Sequence, residues 1–187
     1  ILGAFPYWLS GILPSYTDAF FEAMSGVTTT GASVIRDVEL LPDGLMFWRS
    51  FSQWLGGMGI IVLTVSLLPM FGVGGLQILS AETPGPSFER LVPRIQETAM
   101  LLWGVYLLFS VIEFSLLAVG GMPIYEAILH TFTTMATGGF SPKNNSIAAY
   151  TSPYIQWVII IFMFLAGISF SLHFFALRGR SPKEYWK

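Results

Sequence analysis

Between Arg49 and Glu82 the chain runs through 32 residues without one ionisable side chain. A stretch of that length and character fits few environments, because about 20 predominantly apolar residues suffice to cross a bilayer. The segment from Trp48 to about Leu76 is therefore read as a spanning helix. It carries Gly56-Gly57-Met58-Gly59, small residues of the kind that let helices approach closely in lipid. A second span is expected from about Thr98 to Val119, interrupted by Glu113, and a third from about Tyr154 to Leu177, where His173 is the one ionisable group. Gly74-Gly75 and Gly120-Gly121 mark the ends of the first two. Only 11% of the residues are charged, against about 25% in a soluble domain, so water alone does not cover this chain.

Composition also excludes function classes. A net charge of −2 without a basic block argues against nucleic acid. The absence of cysteine removes disulfides and thiolate zinc sites. The first residues have neither an initiator Met nor a basic n-region, so the chain is expected to begin inside something longer, with residues 1–14 the tail of another span.

Two further apolar stretches, Thr17 to Val27 and Pro123 to about Met135, are too short to span and read as buried or re-entrant helices. Thr17 or Asp18 is the expected N-cap of the first, and Pro123 suits the first turn of the second. A polar linker, Ser80 to Arg94, separates two halves. The expected organisation is residues 1–79 as the end of an outer helix, a short helix, a loop and a span; 80–94 as linker; and 95–187 as a complete second set. Arg90, Arg94, Arg178, Arg180, Lys183 and Lys187 fall on one side of the membrane, and Arg36, Arg49 and Lys143 on the other. The positive-inside rule then puts the linker and C-terminus in the cytoplasm and the two loops outside.

The halves are copies. At a shift of 108 positions Asp18-Ala19 falls on Glu126-Ala127, Met24-Ser25 on Phe132-Thr133, Thr29 on Thr137, Gly31 on Gly139 and Ser33 on Ser141. A shift of 107 also works locally and places Gly31 on Gly138. Each copy is a short helix, a Thr/Gly-rich stretch, a polar loop and a span. Irregular backbone at membrane depth is tolerated only when buried in protein or lining a wet path. A short helix running into Val27-Thr28-Thr29-Thr30-Gly31 aims its partly negative C-terminal end at the following residues. Glycine frees the backbone there, threonine adds an uncharged acceptor, and carbonyls can replace the water shell of a cation. The candidate ion-binding residues are Val27, Thr28, Thr29, Thr30 and Gly31 in loop one, and Met135, Ala136, Thr137, Gly138 and Gly139 in loop two. One Thr/Gly-rich turn is most often only a turn; two, each between a short helix and a span, favour a pore.

The stretch Asp18-Ala-Phe-Phe-Glu-Ala-Met-Ser-Gly-Val-Thr-Thr-Thr-Gly-Ala-Ser33 resembles the first pore loop of the Trk/Ktr/HKT superfamily of potassium transporters. Gln53-Trp-Leu-Gly-Gly-Met-Gly-Ile60 is similar to the start of the next helix in the TrkH branch, and Ala136-Thr-Gly-Gly-Phe-Ser141 resembles a second pore loop. The resemblance covers nearly the whole chain. It implies an all-α membrane fold of potassium-channel-like M1–pore helix–M2 repeats, two of an expected four with the first incomplete. The intramembrane gate loop that the family carries in its third repeat has no counterpart here. It implies potassium uptake through a carbonyl-lined filter in a bacterial or archaeal cytoplasmic membrane, K⁺ at the filter carbonyls as the transported ion, no transition metal and no cofactor. It also implies a homodimer and a cytosolic nucleotide-binding regulatory subunit, TrkA in the Trk branch. Gly31 stands where sodium-favouring members can carry serine, and glycine leans toward potassium.

Other residues have plainer readings. Glu22 has two readings, adding negative potential near the ion path or hydrogen-bonding behind the loop to hold it; the second is expected, with Gly56, Gly57 and Gly59 as further filter support. Glu113 is either functional or paired with a polar group of another repeat. His130 and His173 lack partners at metal-ligand spacing and read as packing residues. Arg49 is expected to snorkel or to pair with Asp37, Glu39 or Asp43, rather than to repel cations. Trp8, Trp48, Trp54, Trp157 and Trp186 read as interfacial belts. A membrane enzyme would need a nucleophile–base pair or a metal cluster, and no such constellation stands out. Two alternatives to a pore subunit are a non-conducting assembly fragment and a two-repeat channel completed by dimerisation.

Overall fold

A computed structural model describes residues 2–59, 88–168 and 173, and of residues 88–98 the backbone alone. Every regular element among the described residues is helical. The α-helices are α1 (Phe5–Leu9), α2 (Tyr16–Val27), α3 (Asp43–Gly57), α4 (Phe88–Val119), α5 (Ile124–Met135) and α6 (Pro153–Gly167), with short 3₁₀ turns between them. Two compact units result: Ile1–Gly57 with Leu107–Ser169, and Met58–Tyr106 with Phe170–Lys187. In the second, Ala99, Val105, Tyr106 and His173 are buried, and Trp103 meets Tyr106 edge-on at 6.1 Å.

The first unit holds both loops. Helix α2 starts where Ser15, extended at ψ 122°, turns its hydroxyl back to accept from the Asp18 N–H at 3.4 Å. Tyr16 and Thr17 are already helical, so the cap is Ser15 rather than Thr17 or Asp18. Asp18 then sits in the first turn, where the helix dipole favours an acid. Helix α3 begins at Asp43, earlier than hydropathy suggests, because the Pro42 carbonyl accepts from both Leu45 and Met46 N–H and those two side chains are buried. In α5, Pro123 is the N-cap and not a first-turn residue. Helix α4 starts at Phe88, inside the stretch expected to be a polar linker; Pro93 lies in its second turn and removes one hydrogen bond from a 32-residue ladder.

Among the described residues, Ala99–Val119 is the one segment long and apolar enough to cross a membrane, with mean hydropathy 2.0. Helix α6 is a shorter apolar helix of 15 residues. The rest of the first and third expected spans (His173 apart), Gly74-Gly75, Trp186 and the whole basic C-terminus lie outside the described residues. Leu107, Val111, Ile160 and Phe164 are exposed on α4 and α6, as lipid-facing or further protein-facing surfaces require.

Helix α3 is the centre of the unit, packed on α2 and α5, while α5 packs on α6. Phe51 and Trp54 of α3 lie 5.7 and 5.4 Å from the ring of Phe132 on α5. Two tryptophans expected at interfaces are instead bonded to protein. Trp48 Nε1 donates to the Gly3 carbonyl at 3.1 Å, and Trp54 Nε1 to Ser110 Oγ at 3.1 Å. Trp8 and Trp157 are exposed.

Candidate functional site

The two Thr/Gly stretches have one backbone. Thr29 and Gly31 carry φ of 54° and 77°; Thr137 and Gly139 carry 53° and 77°. Left-handed φ is rare for a β-branched residue, so finding it at the same place in both copies marks a built-in conformation. The register of the repeat is thus 108, and Gly139, not Gly138, is the counterpart of Gly31. The amide bonds repeat as well. Thr28, Thr29 and Thr30 N–H donate to the carbonyls of Met24, Gly26 and Ser25 at 2.8, 3.0 and 3.0 Å. Ala136, Thr137 and Gly138 N–H donate to those of Phe132, Thr134 and Thr133 at 3.3, 2.9 and 2.9 Å. Every donor folds back on the end of its helix, and the carbonyls of Thr28 to Gly31 and of Ala136 to Gly139 accept no hydrogen bond among the described residues. In a strand successive carbonyls point to opposite edges. A sign change in φ at alternate residues swings them toward one side, the geometry by which a backbone can coordinate a cation.

The loops touch. A Cβ at Gly31 would collide with the Gly138 carbonyl, and one at Gly138 with the Gln53 amide. Gln53 Oε1 accepts the Phe140 N–H at 3.2 Å, while its Nε2 has no partner among the described residues. A Cβ at Gly56 would strike the Val27 carbonyl, so α3 runs against the backbone where α2 passes into loop one. Of the expected support glycines, Gly56 is the one shown against a loop among the described residues; Gly57 is exposed at the end of α3, and Gly59 carries φ 71°.

Glu22 is fully buried behind loop one and accepts Ser33 Oγ at 2.9 Å and Val34 N–H at 3.0 Å. Arg49 does not snorkel, nor does it pair with Asp37, Glu39 or Asp43. It is buried, its Nε bonds Glu22 Oε1 at 2.8 Å, its Nη1 donates to the Ser141 carbonyl at 3.2 Å, and its guanidinium lies 3.6 Å from the Phe140 ring centroid. The reason is position: Arg49, Gln53 and Gly56 recur at i, i+4 and i+7, one helical face, and that face looks at the loops. This spacing is the signal in the sequence that could have found Arg49 and Gln53.

Loop two is backed differently. His130 Nε2 lies 3.1 Å from the Tyr150 hydroxyl, which donates to Glu126 Oε2 at 2.7 Å; Glu126 Oε1 pairs with Lys143 at 3.1 Å. Burial, and next the bond to Glu126, push the Tyr150 hydroxyl above its usual range. A cavity of about 270 Å³ lies beside loop two, lined by His130, Thr134, Gly139, Ile159 and Met163 among others. The outer loops are clasped by Asn144, which accepts Val38 N–H at 2.9 Å and donates to Asp37 at 2.7 Å. Glu113 is fully buried beside Thr134, but neither carboxyl oxygen reaches hydrogen-bonding geometry with it. Among the described residues no three His, Cys, Asp or Glu side chains gather as metal ligands.

Comparison with known proteins agrees with this architecture. The family model TrkH, described as cation transport protein, matches residues 2–187. The chain is 48% identical over 172 residues to the Trk system potassium uptake protein TrkH of Salmonella typhimurium, covering 91% of this chain and 36% of that protein. It is 36% identical over 185 residues to the Trk system potassium uptake protein TrkG of Escherichia coli, covering 98% of this chain and 38% of that protein. The crystal structure of the potassium transporter TrkH from Vibrio parahaemolyticus superposes with a TM-score of 0.70 at 41% identity, covering 92% of this chain and 34% of that one. The chain thus spans a little over a third of the length of the curated relatives it matches.

Proposed function

Because the chain belongs to the TrkH family of cation transport proteins, a family of transporters and not of enzymes, we propose that residues 27–31 and 135–139 are two filter loops of a potassium uptake pore. The observation that carries this is the shared backbone: φ alternating in sign at the same two positions of both loops, every amide tied back to its helix, and the carbonyls left unbonded. An ion entering from outside exchanges water for these carbonyls and the Thr hydroxyls. The C-terminal ends of α2 and α5 add partial negative charge, each helix contributing roughly half an elementary charge. The membrane potential drives the ion inward at about 2.3 kcal/mol per charge per 100 mV. Two loops do not enclose an ion, so further loops from outside these residues complete the ring.

We place the protein in the cytoplasmic membrane as a homodimer with a cytosolic nucleotide-binding subunit of TrkA type, with linker 80–94 and the C-terminus inside. The six-to-three asymmetry of basic residues supports that orientation, and the family resemblance supports the partners. The test is uptake of rubidium and sodium into liposomes by a full-length protein carrying this sequence, beside its Gly31→Ser variant. Rubidium is expected to exceed sodium in the wild type, with discrimination lost in the variant. Equal movement of both ions in both proteins would sink the filter assignment.

A further inference from the structure

Two loops could each be rigid on their own helix and still drift against one another, since they belong to different repeats. Besides the Asn144 clasp farther out and the close approach of Gly31 to Gly138, one side chain ties the two loops together. Arg49 Nε bonds Glu22, which holds Ser33 and Val34 at the outer edge of loop one; Arg49 Nη1 bonds the carbonyl of Ser141 at the outer edge of loop two. Ser33 and Ser141 are the same position of the repeat, 108 apart. The guanidinium therefore reaches loop one through Glu22 and loop two directly, at equivalent positions of the repeat, and its flat face is set on Phe140, next to Ser141.

Resting on the filter reading, we propose that Arg49 is a positioning residue that fixes the spacing between loop one and loop two. The two then act as one rigid half of the filter. The side chain must be arginine for this. Its planar fork presents donors in two directions and stacks on a ring, whereas a lysine ammonium is a compact point charge that can meet Glu22 but lacks the second arm and the flat face. The burial of Arg49 fits: it is 3% exposed, and Glu22, at 0%, is the carboxylate that neutralises it. The arrangement also explains why the loops approach so closely at Gly31 and Gly138, where no side chain can act as a spacer. The device occurs once among the described residues. At the matching places of the second repeat stand His130 for Glu22 and Ile159 for Arg49, neither of which can form such a bridge.

The experiment is the ratio of rubidium to sodium uptake in liposomes for a full-length protein carrying this sequence, comparing wild type, Arg49→Lys and Phe140→Leu. Arg49→Lys removes the donor that holds the Ser141 carbonyl, and a fall in the ratio of about tenfold, equivalent to about 1.4 kcal/mol, is expected. A smaller fall in the same direction is expected in Phe140→Leu, which removes only the surface under the guanidinium. A purely structural role would lower both ions' uptake in proportion and leave the ratio untouched. That result, or an unchanged ratio and unchanged uptake, overturns the proposal. Should Arg49→Lys not yield folded protein, Phe140→Leu decides by the same ratio. A wild type that fails to discriminate the two ions would instead count against the filter reading itself.

Discussion

In the middle of the first pore helix stands Glu22, and 108 residues on, in the middle of the second, stands His130. The loops that follow are alike to within a degree at Thr29 and Thr137, and equal at Gly31 and Gly139. What holds them is not alike. Helices α3 and α6 are both 15 residues long, but α3 starts twelve positions after Gly31 and α6 fourteen after Gly139, so the helices match at a shift of 110. On that register Arg49, Gln53 and Gly56 correspond to Ile159, Met163 and Ala166. Loop one is gripped by a charged network and a backbone contact, and α3 reaches past it to loop two. Helix α6 offers apolar groups beside an open cavity. The backbone of the loop is what the repeat preserves, as the filter role proposed for its carbonyls requires. The side chains behind it vary with what each repeat packs against.

The comparison breaks most sharply at its glycines. Gly31 and Gly139 share a positive φ, which for any L side chain costs about 1–2 kcal/mol. A Cβ at Gly31 also collides with the Gly138 carbonyl, whereas one at Gly139 meets nothing within 4 Å among the described residues. Gly31→Ala is therefore expected to lose selective rubidium uptake by about tenfold more than Gly139→Ala, since one more lost factor of ten needs only about 1.4 kcal/mol. Equal losses would mean that the two loops are equally confined, and that the asymmetry stops at their surroundings.

A second contrast sharpens it on the helices. Gly56→Ala drives a methyl into the Val27 carbonyl, a backbone atom that cannot rotate away. Overpacking of this kind costs typically about 1–3 kcal/mol, and here it pushes on the first residue of the loop. Ala166→Gly at the matching site removes a methyl and costs about 1 kcal/mol through helix propensity. Thermal midpoints in detergent should fall for both, but rubidium uptake should fall further than stability predicts only for Gly56→Ala. If Ala166→Gly impairs uptake equally, α6 supports its loop as closely as α3 does.

Much of this was legible from the chain. Two short helices before two Thr/Gly stretches could be read from length and spacing, since 12 residues cannot span a bilayer and a repeat at 108 needs no structure to be seen. The register ambiguity between Gly138 and Gly139 could not be settled that way, because adjacent glycines are identical as letters and differ only in φ. Arg49 was misread for a related reason. Sequence neighbours suggested Asp37, Glu39 and Asp43, all nearby in the chain, while its partner Glu22 lies 27 residues away and becomes adjacent only when α3 packs on α2. The capping serine was missed by two or three residues, as helix ends are decided by local hydrogen bonds and not by hydropathy.

The smallest expected effect lies behind loop two. Tyr150 links His130 to Glu126 there, where Glu22 links Arg49 to Ser33 in repeat one. Tyr150→Phe removes one hydroxyl and leaves the Glu126–Lys143 pair in place. A hydrogen bond to a charged carboxylate contributes about 1.5–3 kcal/mol to stability, but the Tyr150 hydroxyl meets His130 and Glu126 of α5 and not loop two itself, so selectivity should move by less than it does in Arg49→Lys. The pH dependence follows from the direction of the shift. A phenol raised above its usual value of about 10 keeps its proton below that value, and loses its contribution only as pH climbs through the higher folded-state value. Wild type and Tyr150→Phe should therefore keep a constant difference in thermal midpoint from pH 6 to about pH 9. A difference that closes within that range would show that the hydroxyl ionises earlier. Loop two would then have its own titratable brace, as strong in kind as the charged one behind loop one.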